Sequence, residues 1–370
     1  MNNIPSVDLA DFLSDDPDRK QKFVNEIGSA YEEIGFVSLK NHFLEDDLVD
    51  NLYKEVKSFF ALPTEVKESY EIDGLGGQRG YISFGKEHAK GRKKGDLKEF
   101  YHIGDPTSNV SPENIWPIEI NEFQEITSKA FLKLEEIGLQ VLESTALYLD
   151  LEKNYFYDKV KGGQSIMRAI HYYPINPDDV SDGAVRAAAH GDINFITLLM
   201  GASADGLEIL TRDNRWNPIK SKPDQLVINV GDMLERLTNN KLMSTIHRVV
   251  NPSRDLLNTS RYSIPFFLSV MSRNRFLAAG WCKSIFRAYS ASRMARRAGR
   301  LCWSFCAISV PTMPLTGWGA RIDPSCNRSR NHRVGSNKNG PFRGSGSFQR
   351  VEAGHWAPSH RERRPSASIP

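Results

Sequence analysis

The chain has 370 residues, 40% of them hydrophobic, with 48 lysines and arginines against 45 aspartates and glutamates. That length allows one large or two medium domains with a real core, and the lack of any run of about 18 apolar residues excludes a membrane-spanning helix. The net charge of +3 averages two unlike parts: residues 1–270 carry 30 basic and 42 acidic side chains, residues 271–370 carry 18 and 3, so the basic balance is no signature of nucleic-acid binding.

The opening residues, MNNIPSVDLADFLSDDPDRK, are acidic and hold no apolar core segment, so no secretory signal is expected. All four cysteines, Cys282, Cys302, Cys306 and Cys326, lie in the last hundred residues. A cysteine-free body fits a reducing, cytoplasmic setting.

Residues 18–34 place Phe23, Ile27, Ala30, Tyr31 and Ile34 on one helix face, with Gly35 as a stop signal. FVSL then reads as a short strand. Residues 45–60 repeat the helical pattern, and Pro63 ends that run before a new start at Thr64. A Gly-rich basic stretch follows, with strand alternation around Tyr81 and Phe100. Residues 119–150 predict a long amphipathic helix through Phe123, Ile126, Ala130, Leu134, Ile137, Val141 and Leu142. From Gln164 the pattern changes to short strands: QSIMRAIHYYP, NFITLLM, GLEILTR, RWNPIK, QLVINVG, MSTIHRVV and SRYSIPFFLSV. Closely spaced strands after a helical segment predict an antiparallel sandwich or barrel.

His190-Gly191-Asp192 stands at the start of a strand pattern. Residues i and i+2 of an extended chain face the same side, so an imidazole and a carboxylate converge. His247, in a later strand, can supply a third ligand. Two histidines and one carboxylate form the facial set of non-heme iron(II) oxygenases, which leaves positions open for oxygen and a co-substrate. Zinc accepts the same donors, so a zinc hydrolase is the competing reading of the ligands alone. Arg261 and Ser263 are again i and i+2 on a strand. A guanidinium beside a hydroxyl clamps a carboxylate, and 2-oxoglutarate has a far carboxylate and a metal-chelating keto-acid end. No GxSxG elbow supports serine hydrolysis.

HGDINFITLL, GDMLERLTNNKLMSTIHRVVNP and SRYSIPFF, with IPSVDLADF, GFVSLKNHF, FFALPTEVK, GQRGYISFGKEHAKG and DLKEFYHIG, resemble the isopenicillin N synthase-like group of Fe(II)/2-oxoglutarate-dependent oxygenases, in a subgroup of bacterial members. The resemblance covers roughly residues 4–268. It implies a double-stranded β-helix, or jelly roll, mostly β with flanking helices. Residues 1–118 would form an N-terminal region of helices and short strands, and 119–270 the long helix and jelly-roll domain. It implies iron at His190, Asp192 and His247, with Arg261 and Ser263 on the far carboxylate of 2-oxoglutarate. Tyr173 matches a tyrosine near the co-substrate. His171 matches a position often held by Asn in plant members. Gln78, Arg79 and Tyr81 fall in substrate-side loops, and Asp232 reads as a structural turn residue. The implied activity is oxidation of a small molecule with Fe(II), 2-oxoglutarate and O2, releasing succinate and CO2. Hydroxylation, desaturation and ring closure share these residues. An oxidase that uses no 2-oxoglutarate, an ethylene-forming enzyme and an inactive jelly-roll remnant are the alternatives. Neither nucleic acid nor membrane is expected as a partner, and nothing in the sequence specifies an oligomeric state.

Residues 271–370 depart from that pattern. They use 16 arginines and 2 lysines, and only 15 Leu, Ile, Val and Phe, below the apolar share of a usual core. The expectation is a tail without a stable fold, such as a shifted reading frame or read-through would produce. Cys302 and Cys306 form only a CxxxC with His332 far away, so no zinc site is expected.

Overall fold

Side-chain caps open the first two helices. In the computed structural model, which describes residues 4–270 except 88–95, 110–111, 176–184, 202–204, 221, 223 and 254–255, strand β1 (Ser6–Asp8) leads into α1 (Leu9–Leu13) and α2 (Pro17–Glu33). Asp16 caps α2 by accepting from the backbone N–H groups of Asp18 and Arg19, and Pro17 takes the first turn, where no N–H is needed. Gly35 ends the helix at φ +74°, and a Cβ there would collide with the Met243 carbonyl. The expectations for the tail, including its cysteines, lie outside the described residues.

Next come β2 (Phe36–Lys40), α3 (Asp46–Phe60), α4 (Thr64–Glu68), β3 (Gly80–Ile82), β4 (Glu99–Gly104), α5 (Phe123–Tyr148) and α6 (Tyr157–Val160). The strand-rich half contains β5 (Ile166–Tyr172), β6 (Ala187–His190), β7 (Ile196–Leu199), β8 (Leu207–Leu210), β9 (Trp216–Pro218) and β10 (Leu226–Val230). Helix α7 (Asp232–Leu237) and strands β11 (His247–Val249), β12 (Arg261–Ser263) and β13 (Pro265–Leu268) complete it.

The strands form two sheets. The larger runs β1-β2-β10-β7-β13-β5-β4-β3, with β12 also on β5; the smaller runs β6-β11-β8-β9. Every pairing but β1–β2 is antiparallel. This is the expected jelly roll with flanking helices. Strands from the first 118 residues belong to the same large sheet as the later ones.

Helix α5 covers the outer face of the large sheet. Its buried positions, including Ala130, Phe131, Leu134, Ile137, Gly138 and Val141, recur at helical spacing. Phe131 meets Phe266 edge-on at 4.9 Å. Gly138 lets the helix approach β13 closely, since a Cβ there would stand 2.8 Å from Leu268 Cδ2. The main core lies in this helix–sheet layer. Between the sheets the apolar contacts split into two small clusters. One joins Phe36 and Val227 to Leu207 and Ile209; the other joins Phe100, Ile170 and Tyr172 to Ala187 and Val249. The polar residues of the site lie on this inter-sheet side.

One buried histidine of β4 has a stability consequence. His102 Nε2 accepts from Arg168 Nε at 2.6 Å, and its Nδ1 pairs with the Gly77 carbonyl at 2.5 Å. A second ring proton would break the first bond and face a like charge. Burial, then the Arg168 charge, hold its pKa well below 6.5. The unfolded chain therefore takes up a proton near pH 6.5 that the folded chain refuses. Stability falls as pH drops below that value, with a slope approaching about 1.4 kcal/mol per pH unit from this group. Urea midpoints between about pH 7.5 and 5.5 should fall more steeply in wild type than in His102→Gln. Equal slopes would refute the assignment.

Candidate active site

His190 and His247 face each other as cross-strand partners on β6 and β11, with ring centroids 4.4 Å apart. The sequence places HGD at the start of a strand; the structure instead closes β6 on His190 and puts Asp192 in the connection to β7. The side chains still converge. Asp192 Oδ1 is 3.8 Å from His190 Nε2 and 3.7 Å from His247 Nε2. One ligand atom from each of the three residues lies within 4.8 Å of the others. Gly191 keeps the turn tight, since a Cβ there would meet Asp232 Oδ1 at 3.0 Å.

The histidine tautomers are set by backbone carbonyls. His190 Nδ1 lies 2.7 Å from the Ala188 carbonyl, and His247 Nδ1 lies 3.2 Å from that of Thr245. A carbonyl only accepts, so each Nδ1 carries the proton and each Nε2 presents a lone pair to the cluster. Desolvation by the surrounding protein, then the neighbouring His247, hold the His190 pKa below its usual value, which keeps that ring neutral for ligation.

Asp192 is oriented from the large sheet. Its Oδ2 accepts from Thr197 Oγ1 at 2.5 Å and from Asn229 Nδ2 at 2.8 Å, leaving Oδ1 toward the histidines. Asn194 donates to Thr197 in turn at 2.9 Å. Burial alone would raise the Asp192 pKa, but His247, His190 and these two hydrogen bonds outweigh it, and the carboxyl titrates below its usual range. The donor set fits a divalent iron: two imidazole nitrogens and one oriented carboxylate.

Sequence reasoning missed Thr197 and Asn229. A signal was present: each is a polar side chain inside an apolar strand, ITLL and LVINV, and both are buried. Asp232, read from the sequence as a structural turn residue, is the first residue of α7. Its carboxylate accepts from Ser244 Oγ at 2.7 Å and its backbone N–H donates to the Asp192 carbonyl at 2.7 Å.

Arg261 and Ser263 share the inter-sheet face of β12. Cross-strand partners point the same way, and these pair with Tyr172 and Ile170, which contact the small sheet. The Arg261 guanidinium lies 5.0 Å from the Tyr172 ring centre, and both Arg261 and Ser263 are buried. Tyr173 and His171 are placed differently. His171 pairs with Tyr262 on the opposite face and stacks on it at 4.7 Å. Its Nδ1 meets Glu99 Oε1 at 2.7 Å and its Nε2 meets Ser260 Oγ at 3.1 Å. The Tyr173 hydroxyl accepts from Lys67 Nζ at 3.2 Å, and its ring meets Phe84 edge-on.

The Gln78–Tyr81 segment also has contacts of its own. Tyr81 is buried, and its hydroxyl donates to Glu99 Oε2 at 2.5 Å. Arg79 donates to the carbonyls of Pro112 and Gln78, at 3.2 and 2.6 Å. The Gln78 backbone N–H donates to the Leu75 carbonyl at 3.0 Å. Lys67, Glu99, Tyr81, His171 and Tyr173 thus form one connected polar network.

The chain is similar to known proteins. Residues 4–119 match the family model described as the non-haem dioxygenase in morphine synthesis N-terminal region, and residues 164–270 match that of the 2OG-Fe(II) oxygenase superfamily. The chain is 31% identical over 280 residues to the 2-oxoglutarate-Fe(II) type oxidoreductase hxnY of Emericella nidulans, covering 72% of this chain and 79% of that one. It is 31% identical to the proline hydroxylase buaE of Petromyces alliaceus, covering 71% and 86%. Among solved structures, a protein of Caulobacter crescentus assigned to the 2OG-Fe(II) oxygenase family is 44% identical, with TM-score 0.65 and coverage of 73% and 87%. A full-length Neurospora crassa protein solved in complex with alpha-KG is 28% identical, with TM-score 0.66 and coverage of 72% and 85%. The chain belongs to the 2OG-Fe(II) oxygenase superfamily, and is an oxidoreductase that uses Fe(II), 2-oxoglutarate and O2.

Proposed function

We propose that His190, Asp192 and His247 hold the Fe(II), and that Arg261 and Ser263 hold the far carboxylate of 2-oxoglutarate. The observation that carries this reading is the three-residue cluster, with its carboxylate oriented by Asn229 and Thr197 and both imidazoles tautomer-fixed. Bound Fe(II) supplies the chemistry that couples oxidation of 2-oxoglutarate to succinate and CO2 with oxidation of a small organic substrate. The chain supplies position. Arg261 orients the co-substrate by its charge, and Ser263 adds a neutral hydrogen bond. The Tyr172 ring flanks this clamp. Residues 1–118 frame the site and 119–270 carry its ligands, in a cytoplasmic enzyme.

The outcome at the substrate is hydroxylation, desaturation or ring closure. An oxidase that needs no 2-oxoglutarate is the second reading, because an arginine–serine pair also suits a substrate carboxylate. Anaerobic equilibrium binding tests the first. One Fe(II) or Mn(II) per chain and metal-dependent 2-oxoglutarate binding are expected. Co-substrate binding that ignores the metal would overturn it.

The orientation of Asp192 gives a graded test. Asn229→Ala removes one of its two hydrogen bonds and leaves all three ligands in place. Metal affinity should fall about 10–100-fold. Competition against a fluorescent chelator measures it, and an unchanged affinity would show that Asp192 needs no such support.

A further inference from the structure

Two arginines, Arg186 and Arg261, rank among the largest fully buried side chains, at 1% and 2% exposure. Both guanidiniums approach the Tyr172 ring, Arg186 at 5.9 Å and Arg261 at 5.0 Å. Arg186 lies in the segment entering β6, four residues before His190. Its backbone N–H donates to Asn251 Oδ1 at 3.1 Å, and its Nη2 donates to the Thr259 carbonyl at 2.9 Å. Its Nε and Nη1 are buried and have no hydrogen-bond partner among the described residues. Burial and the like charge of Arg261 push its pKa down to about 10, so it is still a cation at neutral pH.

A buried cation with unmatched donors beside a second cation is unfavourable unless an anion completes it. The natural partner of a guanidinium is a carboxylate. In the reading above, 2-oxoglutarate places one carboxylate on Arg261 and Ser263 and its keto-acid end on the metal. That leaves Arg186 for another acid. We propose that Arg186 is a second anion-binding residue on the inter-sheet side, and that the prime substrate is an organic acid whose carboxylate it takes. This rests on the assignment of Arg261 and Ser263 to the co-substrate.

The test uses the full chain loaded anaerobically with Mn(II) and saturating 2-oxoglutarate. Its thermal midpoint is followed against formate, a carboxylate too small for pocket shape to exclude, with formamide as the neutral control. Formate should raise the midpoint saturably and formamide should not. In Arg186→Gln the formate response should vanish, while 2-oxoglutarate affinity stays within about threefold. A variant that is merely less stable but keeps the response would overturn the proposal. So would a wild type that does not respond, or a variant that binds 2-oxoglutarate more than about tenfold more weakly, which would make Arg186 part of the co-substrate clamp. Should the variant not fold, wild-type crystals carrying Mn(II), 2-oxoglutarate and bromide decide the matter. Anomalous density at Arg186 Nε and Nη1 supports the site, and density absent there overturns it. Failure of 2-oxoglutarate to bind wild type at all would instead count against the Arg261 assignment, and is read out separately.

Discussion

His247→Ala should retain no stoichiometric iron. The three candidate ligands come from three places: the end of β6, the connection after it, and the start of β11. Removing one leaves an imidazole and a carboxylate, which cannot define a facial array. The space vacated is bordered by Phe36, whose ring meets His247 edge-on at 5.7 Å, and Phe36 offers no donor atom. Thr197 and Asn229 still orient Asp192, but both already donate to its Oδ2. Loss of a group that only orients a ligand costs about 10–100-fold in metal affinity, so loss of a ligand should exceed about a hundredfold. Metal content after anaerobic reconstitution and desalting checks this, with circular dichroism to show that the fold persists. Succinate formation from 2-oxoglutarate should be lost in parallel. Stoichiometric iron on the variant would sink the assignment.

Much of this was legible in the sequence, and the reasons are physical. Helices α2, α3 and α5 follow from 3.6-residue periodicity, with a side-chain cap at α2, and their observed ends fall close to the expected ones. The strand-rich half follows from short apolar runs between turn residues. Residue chemistry at fixed spacing pointed to His190, Asp192, His247, Arg261 and Ser263. What spacing could not give was the face of a strand buried on both sides. Strand β5 is apolar in both parities: Met167 and Ala169 face the helix layer, while Ile170 and Tyr172 face the small sheet. Alternation is silent there. The position of His171 and Tyr173 relative to Arg261 therefore had to come from register, which pairs Arg261 with Tyr172 and His171 with Tyr262. Groups that act through long-range contacts were equally hidden. Asn229 reaches Asp192 across 37 residues, and the Arg186 side chain meets the Thr259 carbonyl across 73.

Arg261→Ala should remove most of the affinity for 2-oxoglutarate. A carboxylate would lose its charged, planar partner inside a buried site, where charge-assisted pairs are strongest. The expected loss is about 2–4 kcal/mol, or roughly 30- to 900-fold in Kd. Ser263→Ala removes one neutral hydrogen bond and should cost less, about 0.5–1.5 kcal/mol. Arg261→Lys keeps the charge but not the fork and should fall between the two. This ordering separates a carboxylate clamp from a merely structural arginine, for which lysine and alanine need not differ in co-substrate affinity. The unliganded alanine variant should remain folded, because it loses a buried charge that sits unfavourably near Arg186. Calorimetric titration of the anaerobic Mn(II) form measures all three variants. Wild-type affinity in Arg261→Ala would refute the clamp. Continued turnover of a substrate with no 2-oxoglutarate present would instead favour the oxidase reading, in which the same arginine holds the substrate's own carboxylate.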